Sequence, residues 1–399
     1  MAKAFDEEAA VGRLMRFLAV EGVTGEEQAI GQEVVAALLE AGVPRKAIQF
    51  DKAQEHIPLP TQTGNLIVRL PGTAPGLPVM FMTHLDTVPL CAGAVPVRER
   101  TRIRPAGRTA LGGDNRVGVA CLVTLSATLL EHKLPHPPLT LLFTVREESG
   151  LWGARFVDLA MLGEPVHAFN IDGGTPGDIT IGAVGADRWE VEVHGKASHA
   201  GAHPECGISA TIVVSLALAD VHRDGWFGHI KRNGKEGTSN VGVIAGERGS
   251  SVGAATNVVT DYALVRGESR SHDTKFIGQI TTAYRDAFKS AAKQVTDDRG
   301  HKARIRFRHR RDYFPFKLRA DAPVVKYALE AGRRAGLEPA VRITNGGLDA
   351  NWMVRHGIPT ITFGAGQHNA HTTEEYVDLP EFLDGCRLSL ALATGAAVE

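Results

Sequence analysis

Val11, Leu14, Met15 and Leu18 recur at the spacing of one helix face, and Thr24 followed three residues later by Glu27 has the form of a capping box opening a second helix that Gly42 would end. Beyond it, short apolar runs at Asn65–Leu70, Val79–Thr83, Leu139–Val145 and Ala168–Ile171 alternate with a helical stretch from about Val117 to Leu130. Such alternation predicts an α/β fold, a mixed sheet covered by helices on both faces. Near Gly185 the period changes. Trp189, Val191 and Val193 alternate with Glu190, Glu192 and His194, the pattern of a sheet with one wet face. A helix near Cys206–Val221, strands near Ser239–Ala245 and Val258–Val265, a helix near Asp273–Ala292 and a strand at Ala303–Phe307 complete a smaller α+β unit.

After about Arg319 the first style resumes, with a helix near Ala322–Ala335, strands Ala340–Thr344 and Pro359–Phe363, and a last helix near Leu379–Ala393. The reading is one α/β domain, residues 1–186 and 316–399, interrupted by an inserted α+β domain, residues 187–315. A length of 399 residues also exceeds the ~100–200 of one ordinary domain.

Composition narrows the partners. With 43% hydrophobic and 22% charged residues the chain can bury a large core, which excludes disorder and collagen-like folds. Lys+Arg at 44 against Asp+Glu at 45 leaves a formal charge of −1, no global attraction for nucleic acid or anionic membrane. The basic run Arg304, Arg306, Arg308, Arg310, Arg311 alternates with Ile305 and Phe307, so it reads as a strand with a solvated outer face. The start of the chain lacks the basic and apolar segments of a signal peptide, and the apolar stretch Ile208 to Ala219 is too short to span a membrane. Cys91, Cys121, Cys206 and Cys386 form no Cys-x-x-Cys pair, so neither a disulfide framework nor a thiolate zinc site is expected. A cytoplasmic location is the expectation.

The chemistry-bearing residues follow apolar strands. Val79–Thr83 runs into His84 and Asp86, Leu139–Val145 into Glu147 and Glu148, Ala168–Ile171 into Asp172, and Pro359–Phe363 into a glycine-rich loop that reaches His371. Carboxyl ends of strands in open α/β sheets form the ligand crevice, so these side chains could converge. Asp114, in Leu111-Gly112-Gly113-Asp114-Asn115-Arg116, stands just before a helix. Each has a plainer role available: a solvated histidine, a helix N-cap for Asp114, a surface acid pair such as Glu7-Glu8, Glu26-Glu27 or Glu374-Glu375. Two histidines with three or more carboxylates nonetheless suit a pair of zinc-like divalent ions.

These segments, taken with Gly195-Lys196-Ala197-Ser198-His199-Ala200-Gly201, Arg270-Ser271 and Asn345-Gly346-Gly347-Leu348-Asp349-Ala350-Asn351, resemble the peptidase T-like branch of the di-zinc peptidases that include glutamate carboxypeptidase and aminoacylases. They run in the family's order over nearly the whole chain. The resemblance implies that Asp114 bridges two metals, with Glu148 and His371 completing one site and His84 and Asp172 the other. It also implies that Asp86 orients His84, that Glu147 is the general base, and that two divalent ions, zinc or else cobalt or manganese, are the cofactors. The inserted domain becomes a lid that often dimerises, with His199, Arg270 and Asn257 at the substrate, a short peptide. Asn115-Arg116 stands where peptidase T has Asp-Lys, and Arg146 precedes the glutamate pair. Neither is a ligand position, so these departures bear on substrate. The expected activity is aminopeptidase or tripeptidase action; the alternative on the same metal site is hydrolysis of N-acyl amino acids or another non-peptide amide.

Overall fold

The structure is a computed structural model, and it describes residues 5–253 and 255–395. The chain first forms α1 (Glu7–Leu18), α2 (Gln28–Glu40), β1 (Ile48–Phe50), β2 (Leu66–Leu70), β3 (Val79–His84), β4 (Pro96–Glu99) and β5 (Arg102–Pro105). Next come α3 (Gly113–Glu131), β6 (Leu139–Thr144), α4 (Trp152–Arg155), β7 (His167–Ile171) and β8 (Asp178–Ala183). β9 (Gly185–His194), α5 (Ala210–Arg223), β10 (Gly228–Arg232), β11 (Lys235–Ala245), β12 (Tyr262–Ser271), α6 (Thr274–Gln294) and β13 (Arg304–Tyr313) follow. The last stretch holds β14 (Phe316–Lys317), α7 (Pro323–Arg334), β15 (Ala340–Thr344), α8 (Ala350–Arg355), β16 (Thr360–Phe363), β17 (Gln367–His368), β18 (Tyr376–Asp378) and α9 (Leu379–Gly395).

Two compact units result. One takes the chain up to Ala183, Phe316–Thr344 and the part from Leu348 onward; the other takes Val184–Pro315 with Asn345–Gly347. The first is built on a sheet of order β1-β2-β6-β3-β7-β16-β8-β14, with β15 also paired to β8. Its centre, β6-β3-β7-β16, is parallel throughout, whereas β8 runs antiparallel to β16. Parallel strands covered on both faces are near-continuous apolar runs. β3 and β6 are each buried from end to end and are apolar apart from Thr83, His84, Thr140 and Thr144. Phe81 joins a core shared with α1, α3 and α9, while Met80 and Met82 face the opposite core, which includes Met353 of α8. α3 is buried nearly all round, as a helix apolar on all sides must be. In its first turn Gly118 is required: a Cβ there would collide with Thr83 Oγ1 and lie 2.9 Å from the Ile171 carbonyl. That close approach sets the start of α3 above the carboxyl ends of β3 and β7.

The second unit is an antiparallel sheet, β10-β11-β12-β9-β13. Trp189, Val191 and Val193 of β9 point into a core with α5 and α6, as the alternation predicts. On the other face Arg266 and Arg308 pair with Glu190, and Arg308 also with Glu192, so acidic neighbours meet part of the basic run.

Several elements differ from the sequence expectation. α2 starts at Gln28, and Glu27 is no capping-box partner. It is fully buried, and its Oε1 accepts from the amides of Gly25 (2.6 Å) and Arg146 (3.1 Å). The strand expected at Val258–Val265 is Tyr262–Ser271, so it contains Arg270; β13 runs on to Tyr313. α5 begins at Ala210, capped by Ser209, whose hydroxyl accepts from the Ile212 amide. Cys121 of α3 and Cys386 of α9 meet at 3.5 Å as free thiols. No helix among the described residues is long and apolar enough to cross a membrane.

Candidate metal centre

The four central parallel strands end on the same side, and each leads toward an expected ligand or base. β3 ends in His84, β7 is followed by Asp172, and the turn after β6 presents Glu147 and Glu148. The chain beyond β16 reaches His371, held at φ +66°, a left-handed conformation that non-glycine residues seldom adopt and that recurs at functional sites. Asp114 comes down from the non-helical start of α3.

Asp114 lies at the centre. Its Oδ1 is 3.1 Å from His84 Nε2 and its Oδ2 is 3.3 Å from His371 Nε2, so each oxygen faces a different imidazole. Around these two contacts the remaining carboxylates divide: Asp172 Oδ1 stands 4.0 Å from His84 Nε2, and Glu148 Oε1 stands 2.9 Å from His371 Nε2. His84, Asp114 and Glu148 each offer a ligand atom within 4.8 Å of the others.

Asp86 is fully buried and engages His84, Glu147 and Glu148. Its backbone carbonyl is 2.9 Å from His84 Nδ1, and its carboxylate Oδ1 is 3.5 Å from the same nitrogen. The carboxylate itself accepts from the amides of Glu147 (3.0 Å) and Glu148 (3.1 Å), fixing the turn that carries both glutamates.

The other three expected residues lie in the second unit. His199 is exposed, and its Nδ1 accepts from the amides of Gly201 and Ala202, both at 3.1 Å. A nitrogen that accepts twice carries no proton, so the hydrogen is assigned to Nε2. Asn257 lies alongside: its carbonyl accepts from the Ala200 amide at 2.8 Å. Arg270 faces Glu268, which meets its Nε at 2.9 Å and its Nη2 at 3.0 Å.

Comparison with known proteins identifies the family. Residues 80–394 match the description of peptidase family M20/M25/M40. The Bacillus subtilis (strain 168) protein YqjE, itself uncharacterized, is 30% identical over 335 residues, 84% of this chain and 85% of its own length. The chain belongs to peptidase family M20/M25/M40. Among solved structures, the aminopeptidase PepT of Bacillus cereus ATCC 10987 is 28% identical with a TM-score of 0.81, covering 99% of this chain and 100% of that one. A tripeptidase of Staphylococcus aureus subsp. aureus Mu50 shares the fold at 24% identity, with a TM-score of 0.86 over the whole of both chains. The protein is thus a peptidase T-like member of the family and a metallopeptidase.

In this member the donor chemistry fits a pair of divalent cations. Burial pushes the Glu148 carboxyl up to about 7, with Asp114's charge adding to the shift. Burial, then Asp114, raises Asp172 well above the usual carboxylate range. Glu147 is raised as well, by burial first; His84 opposes, and the charges of Asp172, Glu148 and Asp349 reinforce. Against its own burial, Asp114 is held low by the hydrogen bonds of His371 and His84. Acids crowded in this way are a site for positive charge, and mixed imidazole and carboxylate donors suit zinc.

Three residues at the centre have no assigned role in the sequence reading. Glu375, expected to be solvated, is 1% exposed and accepts from the amides of Leu111 (2.7 Å), Gly112 (2.9 Å) and Asp114 (3.0 Å). Buried Arg116 donates to the Leu85 and Val20 carbonyls. Asp349 is buried and accepts from Thr144 Oγ1, while burial lifts its carboxyl to about 7. One signal was available for Glu375: it stands four residues after His371.

Proposed function

We propose that the protein removes the N-terminal residue from short peptides, as an aminopeptidase or tripeptidase, with two zinc ions that cobalt or manganese can replace. The observation that carries the reading is Asp114, whose two carboxylate oxygens face two different histidines, each with a further carboxylate beside it. His84, Asp172 and Asp114 would hold one ion and His371, Glu148 and Asp114 the other. Such a pair lowers the pKa of water and stabilises negative charge on a carbonyl oxygen.

The chain's own groups supply the proton movements. Glu147, beside the ligands and held by Asp86 through its backbone amide, takes a proton from the attacking water at its carboxylate and returns it to the leaving amine. A carboxyl raised by burial is suited to both halves of that task. His199, with its hydrogen on Nε2, donates to the carbonyl oxygen as charge develops there. For the inserted unit we retain the role of a lid that also dimerises the chain, with Asn257 and Arg270 as substrate contacts.

The test is metal analysis of purified protein followed by a panel of di- and tripeptides and N-acetyl amino acids, with and without chelator. Two divalent ions per chain, chelator-sensitive cleavage and release of the first residue of tripeptides are expected. Far better turnover of N-acetyl amino acids would replace the peptidase reading by that of a deacylase. Full activity in rigorously metal-free protein would end both.

A further inference from the structure

In the second unit the chain leaves β9 at His194, and at Lys196 it exchanges both backbone hydrogen bonds with Ile208: the Lys196 amide donates at 3.0 Å and its carbonyl accepts at 2.8 Å. Residues 197–207 are therefore one excursion closed at its base, and they carry His199. The ring is aimed within the loop by Gly201 and Ala202, whose amides donate to Nδ1. On one side the loop is held by backbone alone, with the Asn257 carbonyl accepting from Ala200 at 2.8 Å and the Val259 amide donating to Ser198 at 2.9 Å. On the other it meets the connection from α6 to β13, which is a closed turn of its own. Thr296 bridges Lys302, the Asp297 amide donates to the His301 carbonyl at 3.1 Å, and Asp297 Oδ1 accepts from the amides of Arg299 (3.1 Å) and His301 (2.9 Å). That leaves Asp297 Oδ2, which accepts from Lys196 Nζ and from His301 Nδ1, each at 2.9 Å. One residue further, the Asp298 amide donates to the Glu205 carbonyl at 2.8 Å, so the turn grips the loop near both of its ends.

We propose that Lys196 and Asp297 are positioning residues for His199, holding its loop in the pose that lets Nε2 donate to the carbonyl oxygen as charge develops. The inference rests on the role given to His199 above. The Asp297 side chain is fully buried and oriented by its own turn, while Lys196 is 45% exposed. An ion pair half open to solvent adds little to folding stability, so what this one supplies is direction: it sets how the loop leaves Lys196, three residues before His199. An oxyanion donor acts in the transition state rather than on bound substrate, and removing one costs ~10²–10³ in kcat. A loop loosened at its base forfeits part of that, in kcat and not in KM.

The experiment measures kcat, KM, bound zinc and Tm of the zinc-loaded full chain, with Ala-Ala-Ala as substrate, in Lys196→Met, Lys196→Arg, His199→Ala and the Lys196→Met/His199→Ala double variant. Lys196→Met keeps the aliphatic stem and leaves the Asp297 turn whole, whereas Asp297→Ala would also strip the Arg299 and His301 amides of their acceptor. In Lys196→Met kcat should fall at least ~tenfold, with KM and zinc content unchanged and Tm within ~2 °C of wild type, and Lys196→Arg should restore most of the loss. Placed on His199→Ala, the same change should cost nothing further, since the two residues act as one unit. A kcat within ~twofold of wild type, a rise in KM, loss of zinc, or an equal drop in both backgrounds overturns the positioning role and leaves the peptidase reading standing. Full kcat in His199→Ala overturns the role of His199, and this inference with it. Wild type that leaves Ala-Ala-Ala uncut and hydrolyses N-acetylalanine overturns the peptidase reading; the same four variants are then read on N-acetylalanine, where the same pattern upholds the positioning role and any other overturns it.

Discussion

Glu147 and Glu148 are identical side chains whose amides share one clamp, the two oxygens of Asp86, yet their carboxylates face different neighbours. Glu148 meets His371 at 2.9 Å, the contact expected of a ligand. Glu147 has no such imidazole contact among the described residues and is raised by burial, which suits a group that gains and loses a proton. Replacing Glu147 by Gln keeps size and removes basicity. That variant should fold, hold both ions and lose ~10²–10⁴ in kcat, the usual worth of positioned acid–base catalysis. Glu148→Gln should lose metal first and activity as a consequence. Metal content by elemental analysis alongside kcat separates the two, and the reverse pattern would falsify the assignment.

At the scale of elements, two buried carboxylates position the loops that carry the proposed ligands. Asp86 holds the turn after β6, and Glu375 holds Leu111, Gly112 and Asp114 at the head of α3. Asp114→Ala removes the bridge and should cost both ions. Asp86→Ala and Glu375→Ala remove only supports and should weaken zinc affinity or activity by ~10–100-fold. Zinc titration by competition with a chromophoric chelator reads the difference; equal, complete loss in all three would mean that the supports are themselves ligands. The strand-end site residues are legible in sequence because the apolar runs of β3, β6 and β7 lead into His84, Glu147-Glu148 and Asp172. The supports are not. A carboxylate that accepts backbone amides leaves no periodic trace, so Glu26-Glu27 and Glu374-Glu375 look like any solvated acid pair. Strands β12 and β13 outrun their apolar pattern for a related reason: Arg266, Glu268 and Arg270 along one, and Arg308 and Arg310 along the other, are stabilised by cross-strand or same-strand charge. Asp349 sits within a segment that the family resemblance covers, but its burial depends on packing that no single sequence displays.

Over the whole molecule the formal charge is −1, a balance that hides how many acids converge at one end of the large sheet. Their pKa shifts make stability without metal depend on pH. Glu148 and Asp349 are raised to about 7, and Glu147 and Asp172 are raised well above their ordinary values. His84 is also raised, its bonds to Asp114 and Asp86 outweighing burial, and bonds to Asp114 and Glu148 bring His371 to about 10. Each of the six binds more protons folded than unfolded between its ordinary and its raised value, the four carboxyls from about pH 4 and the two histidines from about pH 6.5, so each contributes stability at low pH that is lost as pH rises through its folded value. Asp114, held low, opposes this only below its ordinary value of 3.8. Chelator-treated protein should therefore melt at a lower temperature at pH 8 than at pH 5.5, by ~5 °C or more, since about 1 kcal/mol moves Tm by ~2–4 °C in a chain of this order of size. Under the proposed assignment zinc would bind these donors in their deprotonated form, so its stabilising increment should grow over the same interval. Calorimetric scans of both forms in half-unit pH steps test the pair of slopes. In Glu148→Gln the metal-free slope should flatten, because one of the raised acids no longer titrates. A metal-free Tm that rises from pH 5.5 to 8 would show that the cluster is not the acid-crowded site from which the metal assignment is argued.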